Sequence, residues 1–132
     1  MISAMDIAAS GLVAQRTRMN TVAMNIANVN SVESPEGGPY KRRSIVFKAG
    51  LHDGDKSSSG VHVASIEKEA VYRWKYDPKH PYANHDGYVK LPGINHLVEM
   101  VNGMEAGRAY EANLASMEMS KAMFQNSLRL LA

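Results

Sequence analysis

The sequence contains no cysteine, and with it go disulfide frameworks, thiolate metal sites and cysteine nucleophiles. Excess charge of either sign is missing too. Fifteen Lys and Arg stand against thirteen Asp and Glu, a formal +2, which gives no bulk electrostatic case for a nucleic-acid or membrane surface. No apolar run approaches the length of a membrane span. Residues Met1 to Ala9 have neither a basic start nor a sustained apolar core, and Asp6 interrupts them. A cleavable signal peptide is therefore not expected, and work outside the cytoplasm would need another export route. Glycines in GxGxxG or GxxxxGK spacing are absent, as are Ser/His/Asp arrangements and an H-E-x-x-H pattern.

What the chain does have is helix at both ends. Ile2, Ala9, Arg16 and Ala23 fall at one heptad position and Met5, Leu12, Met19 and Ile26 at the other, with Ala8, Val22 and Val29 widening the stripe. Ser3 followed by Asp6 has the look of a capping box. The spacing predicts a helix from Ile2 to about Ser31. At the other end Pro92-Gly93 punctuates, Asn95 is placed to cap, and Leu97, Met100, Val101, Met104, Tyr110, Leu114, Met117, Phe124, Leu128 and Leu131 recur at helical intervals. From Tyr110 the repeat is strictly seven, through Met117, Phe124 and Leu131, offset by Leu114, Lys121 and Leu128. A helix from Asn95 to Leu131 would be about 55 Å long at 1.5 Å per residue. That exceeds the core of a 132-residue chain and points to partners outside it.

Met and Ala are frequent in this second segment, which suits a helix packing closely against non-identical neighbours. Gly103 and Gly107 repeat at four residues, a weak close-approach signal outside a membrane. Asn25, Asn28 and Asn30 are poor helix formers, and they either end the first helix or hydrogen-bond to a neighbouring one. In an antiparallel pair, Asn28 is expected near Asn113, with Asn25, Asn28 and Asn113 setting the register.

Between the helices the period changes to two. Tyr40–Ala49, Gly60–Ile66, Val71–Tyr76 and Tyr88–Leu91 read as short strands, divided by Gly- and Pro-containing turns and by a polar loop at Asp53–Gly60 expected to be mobile. The expected class is α+β. Terminal helices at 1–31 and 95–132 are expected to form an antiparallel coiled coil, and residues 32–94 a small β-rich insert that leans on a helix or a partner. Lys41-Arg42-Arg43 is the one basic cluster, and on a strand at most two of the three share a face. An interface or solvated edge is the reading it supports. Asp77 to Asp86, with His80 and His85, is the most enzyme-like stretch, but its two prolines hold it extended without a shared ligating face. His52 and His62 read as surface residues, and His96 as a first-turn helix residue.

The terminal segments resemble the flagellar axial proteins that build rod, hook and filament junctions. Met5-Asp6-Ile7-Ala8-Ala9-Ser10-Gly11-Leu12, Gln15-Arg16 and Asn25-Ile26-Ala27-Asn28-Val29-Asn30 match the N-terminal pattern, and Arg108-Ala109-Tyr110-Glu111-Ala112-Asn113 the C-terminal one. Met24 and Ser31-Val32 depart from it. Gly37-Gly38-Pro39-Tyr40-Lys41-Arg42-Arg43, Tyr76-Asp77-Pro78-Lys79-His80-Pro81 and Gly87-Tyr88-Val89 narrow the resemblance to proximal-rod subunits. This resemblance implies a structural protein with no catalytic residue, cofactor or metal, exported by the flagellar type III apparatus without a cleaved signal. Its location would be the periplasmic part of the basal body. It also implies terminal helices that order on assembly, against other copies of the chain, neighbouring rod subunits and the rod-base adaptor (FliE, FlgB and FlgF types). The expected assembly residues are Met5, Leu12, Met19, Asn25, Ile26, Asn28, Arg108, Tyr110, Asn113, Leu114, Met117, Phe124 and Leu128. Against this stand a metal-binding enzyme built on residues 77–86 and a cytoplasmic dimeric coiled-coil adaptor.

Overall fold

The computed structural model describes residues 2–50 and 59–131; most of the polar loop expected at 53–60, and His52, lie outside the described residues. Six elements follow one another: α1 (Ile2–Ala27), β1 (Arg42–Ala49), β2 (Val61–Glu69), β3 (Tyr72–Tyr76), β4 (Tyr88–Pro92) and α2 (His96–Leu131). Ser3 lies inside α1, so it is not the cap that Ser3-x-x-Asp6 suggested. Asn95 does cap α2. Its Oδ1 accepts from the backbone N–H of Leu97 at 3.0 Å and of Val98 at 3.3 Å, two of the donors a helix start leaves orphaned. Asn95→Ala is expected to cost about 1 kcal/mol, read as a shift in the helical unfolding transition.

The helices pack antiparallel. Asn25 meets Glu99, Arg18 meets Glu105 at 3.4 Å, Val22 lies against Gly103 and Gly11 against Asn113. The line of contact on α2 is Glu99, Gly103, Ala106, Tyr110, Asn113 and Met117, alternating four and three residues apart, every one buried or half-buried. On α1 it is Ala8, Gly11, Gln15, Arg18, Val22 and Asn25. This differs from the sets read from the sequence: Arg16 and Ala23 are exposed, and Met5, Leu12, Met19 and Ile26 are half-buried beside the seam. Small residues let the axes approach. A Cβ added at Gly11 would sit 2.9 Å from the Asn113 amide, and one at Gly103 would be 3.3 Å from Val22. Gly107, the other half of the supposed glycine pair, faces open space.

Two opposing terms then act at Gly11. Alanine gains roughly 1 kcal/mol of helix propensity against a crowding that a small shift of Asn113 relieves, so Gly11→Ala should be near neutral. Leucine cannot be relieved in that way. Gly11→Leu should cost about 1–3 kcal/mol by wedging the helices apart. Thermal unfolding followed by helical circular dichroism checks the order, and a leucine variant as stable as the parent would contradict the close approach.

The four strands make two separate antiparallel hairpins, β1–β2 and β3–β4. The first runs lengthwise along α1: Arg43 joins Asn25 at one end, and at the other the Val61 N–H donates to Ser10 Oγ at 3.1 Å. Fifteen helical residues and six strand residues each span about 20 Å, which is why the two lengths match. Ala14 and Thr21 of α1 are buried on this side. In the second hairpin Val89 and Leu91 turn inward, while Tyr72, Trp74, Tyr76, Tyr88 and Lys90 share the opposite face by strand alternation and pairing register. Arg73 ties this hairpin to the turn after α1 through Asn30 Oδ1 at 2.9 Å. Residues 77–87 form consecutive tight turns, with the Asp77 N–H on Gly87 O and Asn84 Oδ1 accepting from Asp86 and Tyr88.

Candidate assembly interface

A polar cluster sits where α1, α2 and the first hairpin converge. Asn25 is on the α1 seam and only 1% exposed. Its Nδ2 donates to Arg43 O at 2.8 Å and to Glu99 Oε2 at 3.1 Å. Its Oδ1 accepts from the Arg43 N–H at 2.9 Å and the Tyr40 hydroxyl at 3.0 Å. One amide thereby completes the strand start, the other helix and the tyrosine. Glu99, also 1% exposed, accepts on its other oxygen from Arg42 Nε at 2.7 Å, and Arg42 Nη1 reaches both oxygens of Glu69. Burial by itself would depress the Arg42 pKa, but its bonds to Glu99 and Glu69 outweigh that and raise it. Burial pushes the Tyr40 hydroxyl up, partly offset by Arg43, whose guanidinium lies 5.7 Å from the ring centre.

A buried carboxylate is tolerable only with charge-assisted partners, and Glu99 has them from two elements. Removing either helix or the hairpin from this point would orphan the rest. The cluster therefore fixes the register of α1 on α2 and, at the same residue, the seating of the first hairpin. This is mechanical chemistry.

Of the residues expected to act in assembly, Asn25 alone is fully buried. Asn28 does not meet Asn113. Its Nδ2 donates to Met24 O one turn back at 2.8 Å and its Oδ1 accepts from Ser31 Oγ, which finishes α1, while Asn113 lies across from Gly11. The antiparallel register puts the two at opposite ends of the pair. Tyr110, Asn113, Met117 and Phe124 are half-buried on the α1-facing line; Arg108, Leu114 and Leu128 are exposed. Arg42 does not behave as a solvated edge residue either. Sequence reading missed Glu99, Tyr40 and Arg42 as a unit. The available signal was an acid four residues before Gly103 on the same 4–3 line that carries Ala106 and Tyr110.

Helical periodicity puts Met5, Leu12, Met19 and Ile26 on one flank of α1, and Met100 and Leu114, followed by Leu128, on the same side of α2. The hairpin covers the other side. An apolar flank, broken on α2 by Gly107 and Lys121, is thus left facing outward, with Leu97 and Met104 beside it, both more than half exposed. Monomeric proteins seldom expose such surface without use. Among the described residues no three His, Cys, Asp or Glu side chains gather as a metal site, and no helix is long and apolar enough to cross a membrane.

Antiparallel terminal helices with an unpaired flank, locked to a short β hairpin, have the architecture of a subunit that packs against others. Residues 5–33 match the model described as flagella basal body rod protein, and residues 85–130 the one described as flagellar basal body rod FlgEFG protein C-terminal. The chain is 38% identical to the flagellar basal-body rod protein FlgC of Borreliella burgdorferi, covering 99% of this chain and 97% of that one. To the FlgC proteins of Salmonella typhimurium and Aquifex aeolicus it is 40% and 42% identical, covering 98% and 96% of this chain and 97% and 94% of theirs. The chain belongs to the FlgC family of flagellar basal-body rod proteins. It is a structural component of the basal body that assembles with other rod components, and it is not an enzyme.

Proposed function

We propose that this chain builds the proximal rod, the part of the drive shaft that carries motor torque across the periplasm, by packing its terminal helices as a coiled coil among those of its neighbours. The observation that carries this is the helix pair itself. Its own seam consumes Gly, Ala, Asn and Met, while Met5, Leu12, Met19, Ile26, Leu114 and Leu128 remain available on the flank. The difference in helix length adds to it. With Gly11 level with Asn113 and α1 beginning at Ile2, the last nine or so residues of α2 run about 13 Å past the start of α1. Those residues include Phe124, Leu128 and Leu131.

Residues 1–31 and 95–132 would serve as the axial part and 32–94 as the insert that sets their spacing. The partners on this reading are other copies of the chain, rod subunits of the FlgB and FlgF types and the FliE-type rod-base adaptor, reached after passage through the flagellar type III export apparatus. A seam of small residues buries little apolar area, so the free helix pair is marginal and neighbours complete it. The α2 overhang orders last.

Two measurements test this. Tyr110→Ala, Phe124→Ala chain should be made and exported but build no rods, leaving cells non-motile, and normal rods from it would sink the proposal. Hydrogen exchange on verified monomer should be slowest around Asn25 and Glu99 and fast beyond residue 122. Equal protection along the whole of α2 would contradict ordering on assembly.

A further inference from the structure

The proposal rests on the rod-subunit reading and concerns which face of one copy meets which face of the next. Around α2, the outward flank carries Leu97, Met100, Met104, Leu114 and Leu128, all 40% exposed or more, with Glu111, Glu118 and Lys121 among them. A second strip lies on the side of α2 turned away from α1. It has Ala112, Ala115, Met119 and Ala122, all exposed, between Arg108 and Arg129. Its Glu105 already pairs with Arg18.

The two strips differ in both size and charge. One is large and apolar with two acids against one lysine; the other is small, with two arginines. A two-fold contact of the first strip with itself would bring Glu111 and Glu118 of both copies together, a like-charge pairing that costs affinity. The second strip meeting itself would oppose arginines over a shallow row of alanines. Placed on each other, leucine and methionine side chains find the room that alanine leaves, and one acid can reach one arginine, since the arginines stand 21 residues apart and the acids seven. Such a contact uses different patches on the two copies, so it repeats around or along an axis without closing as a dimer.

We infer that the Met104 and Leu114 part of the outward flank of one copy docks, helices parallel, on the Ala112, Ala115, Met119, Ala122 strip of a second copy of the chain. The contact is heterologous and side by side. The hairpin, on the other side of α1, stays clear of it.

The absence of cysteine makes a clean test. Leu114→Cys and Ala115→Cys point about 100° apart on the helix, one into each strip. Cells making the chain with both substitutions, or with both Met104→Cys and Ala112→Cys as a second pair, are oxidised and their basal bodies isolated. The denatured chain is then followed by antibody. At least one pair should give a ladder extending beyond the dimer, and each single substitution should give monomer only. Dimers from Leu114→Cys alone would overturn the inference in favour of a two-fold contact. Normal rods and motility with no cross-link from either pair would overturn the faces while leaving the rod reading intact. Failure of the unaltered chain to enter rods would overturn both.

Discussion

Glu99→Ala is expected to remove about 3–5 kcal/mol from the helix pair, because the truncation takes a buried carboxylate from the half-buried Arg42 guanidinium and leaves a buried Asn25 amide donor short of an acceptor. Arg42 keeps Glu69, but its Nε loses a 2.7 Å bond, and Asn25 Nδ2 loses one of its two acceptors. A pair in which half of the seam is Ala, Gly and Asn has little stability in reserve. The helical signal of the purified chain should therefore melt on the order of 10–20 °C lower, or be lost at room temperature. Glu99→Gln separates charge from shape. Its amide oxygen can still accept from one donor, so it should fall between parent and alanine. If Glu99→Ala melts within a degree or two of the parent, the cluster is ornamental and the apolar contacts alone hold the helices.

Asn25→Ala should cost somewhat less, about 2–4 kcal/mol, although it breaks more bonds. Arg43 N and O, the Tyr40 hydroxyl and Glu99 all lose a partner, yet only Glu99 is charged and part of the set can turn toward water. The informative quantity is the pair. Because Asn25 and Glu99 share one bond and one cluster, the double variant should lose less than the two single losses together, by 0.5–3 kcal/mol. Additivity would place them in independent environments and remove the case for a single locking point. Assembly should follow stability in both variants, since a helix pair out of register presents its flank at the wrong height, and rod yield from cells would report it.

Much of this arrangement was legible before any coordinates. The two helices, the first ending at Ala27 and not near Ser31, the Asn95 cap and four strands all follow from local physics: a 3.6-residue period, a side chain suited to the first turn, alternation at two. The seam was read one step off, for a physical reason. Counting hydrophobicity favours the largest apolar side chains, and so Met5, Leu12, Met19 and Ile26 looked like the centre. Two helices that approach closely instead put their smallest residues there, Gly11 against Asn113 and Gly103 against Val22, and push the large ones to the flank. The pairing of Asn28 with Asn113 failed for another reason: the register along the axes is set by Asn25 on Glu99, which puts the two asparagines at opposite ends of the pair.

By itself, the sequence determined that this is a chain of two long amphipathic helices around a short β segment, because composition, period and capping act over a few neighbouring positions. Only tertiary structure decided that Glu99, 74 residues from Asn25, would be buried on it, that Arg42 would turn in to reach that carboxylate, and which flank would be left uncovered. Those outcomes depend on how near two backbones can come and where the hairpin then has room to lie. No local pattern encodes such distances. They are set when small residues on both helices meet and the buried polar groups must all find partners at once.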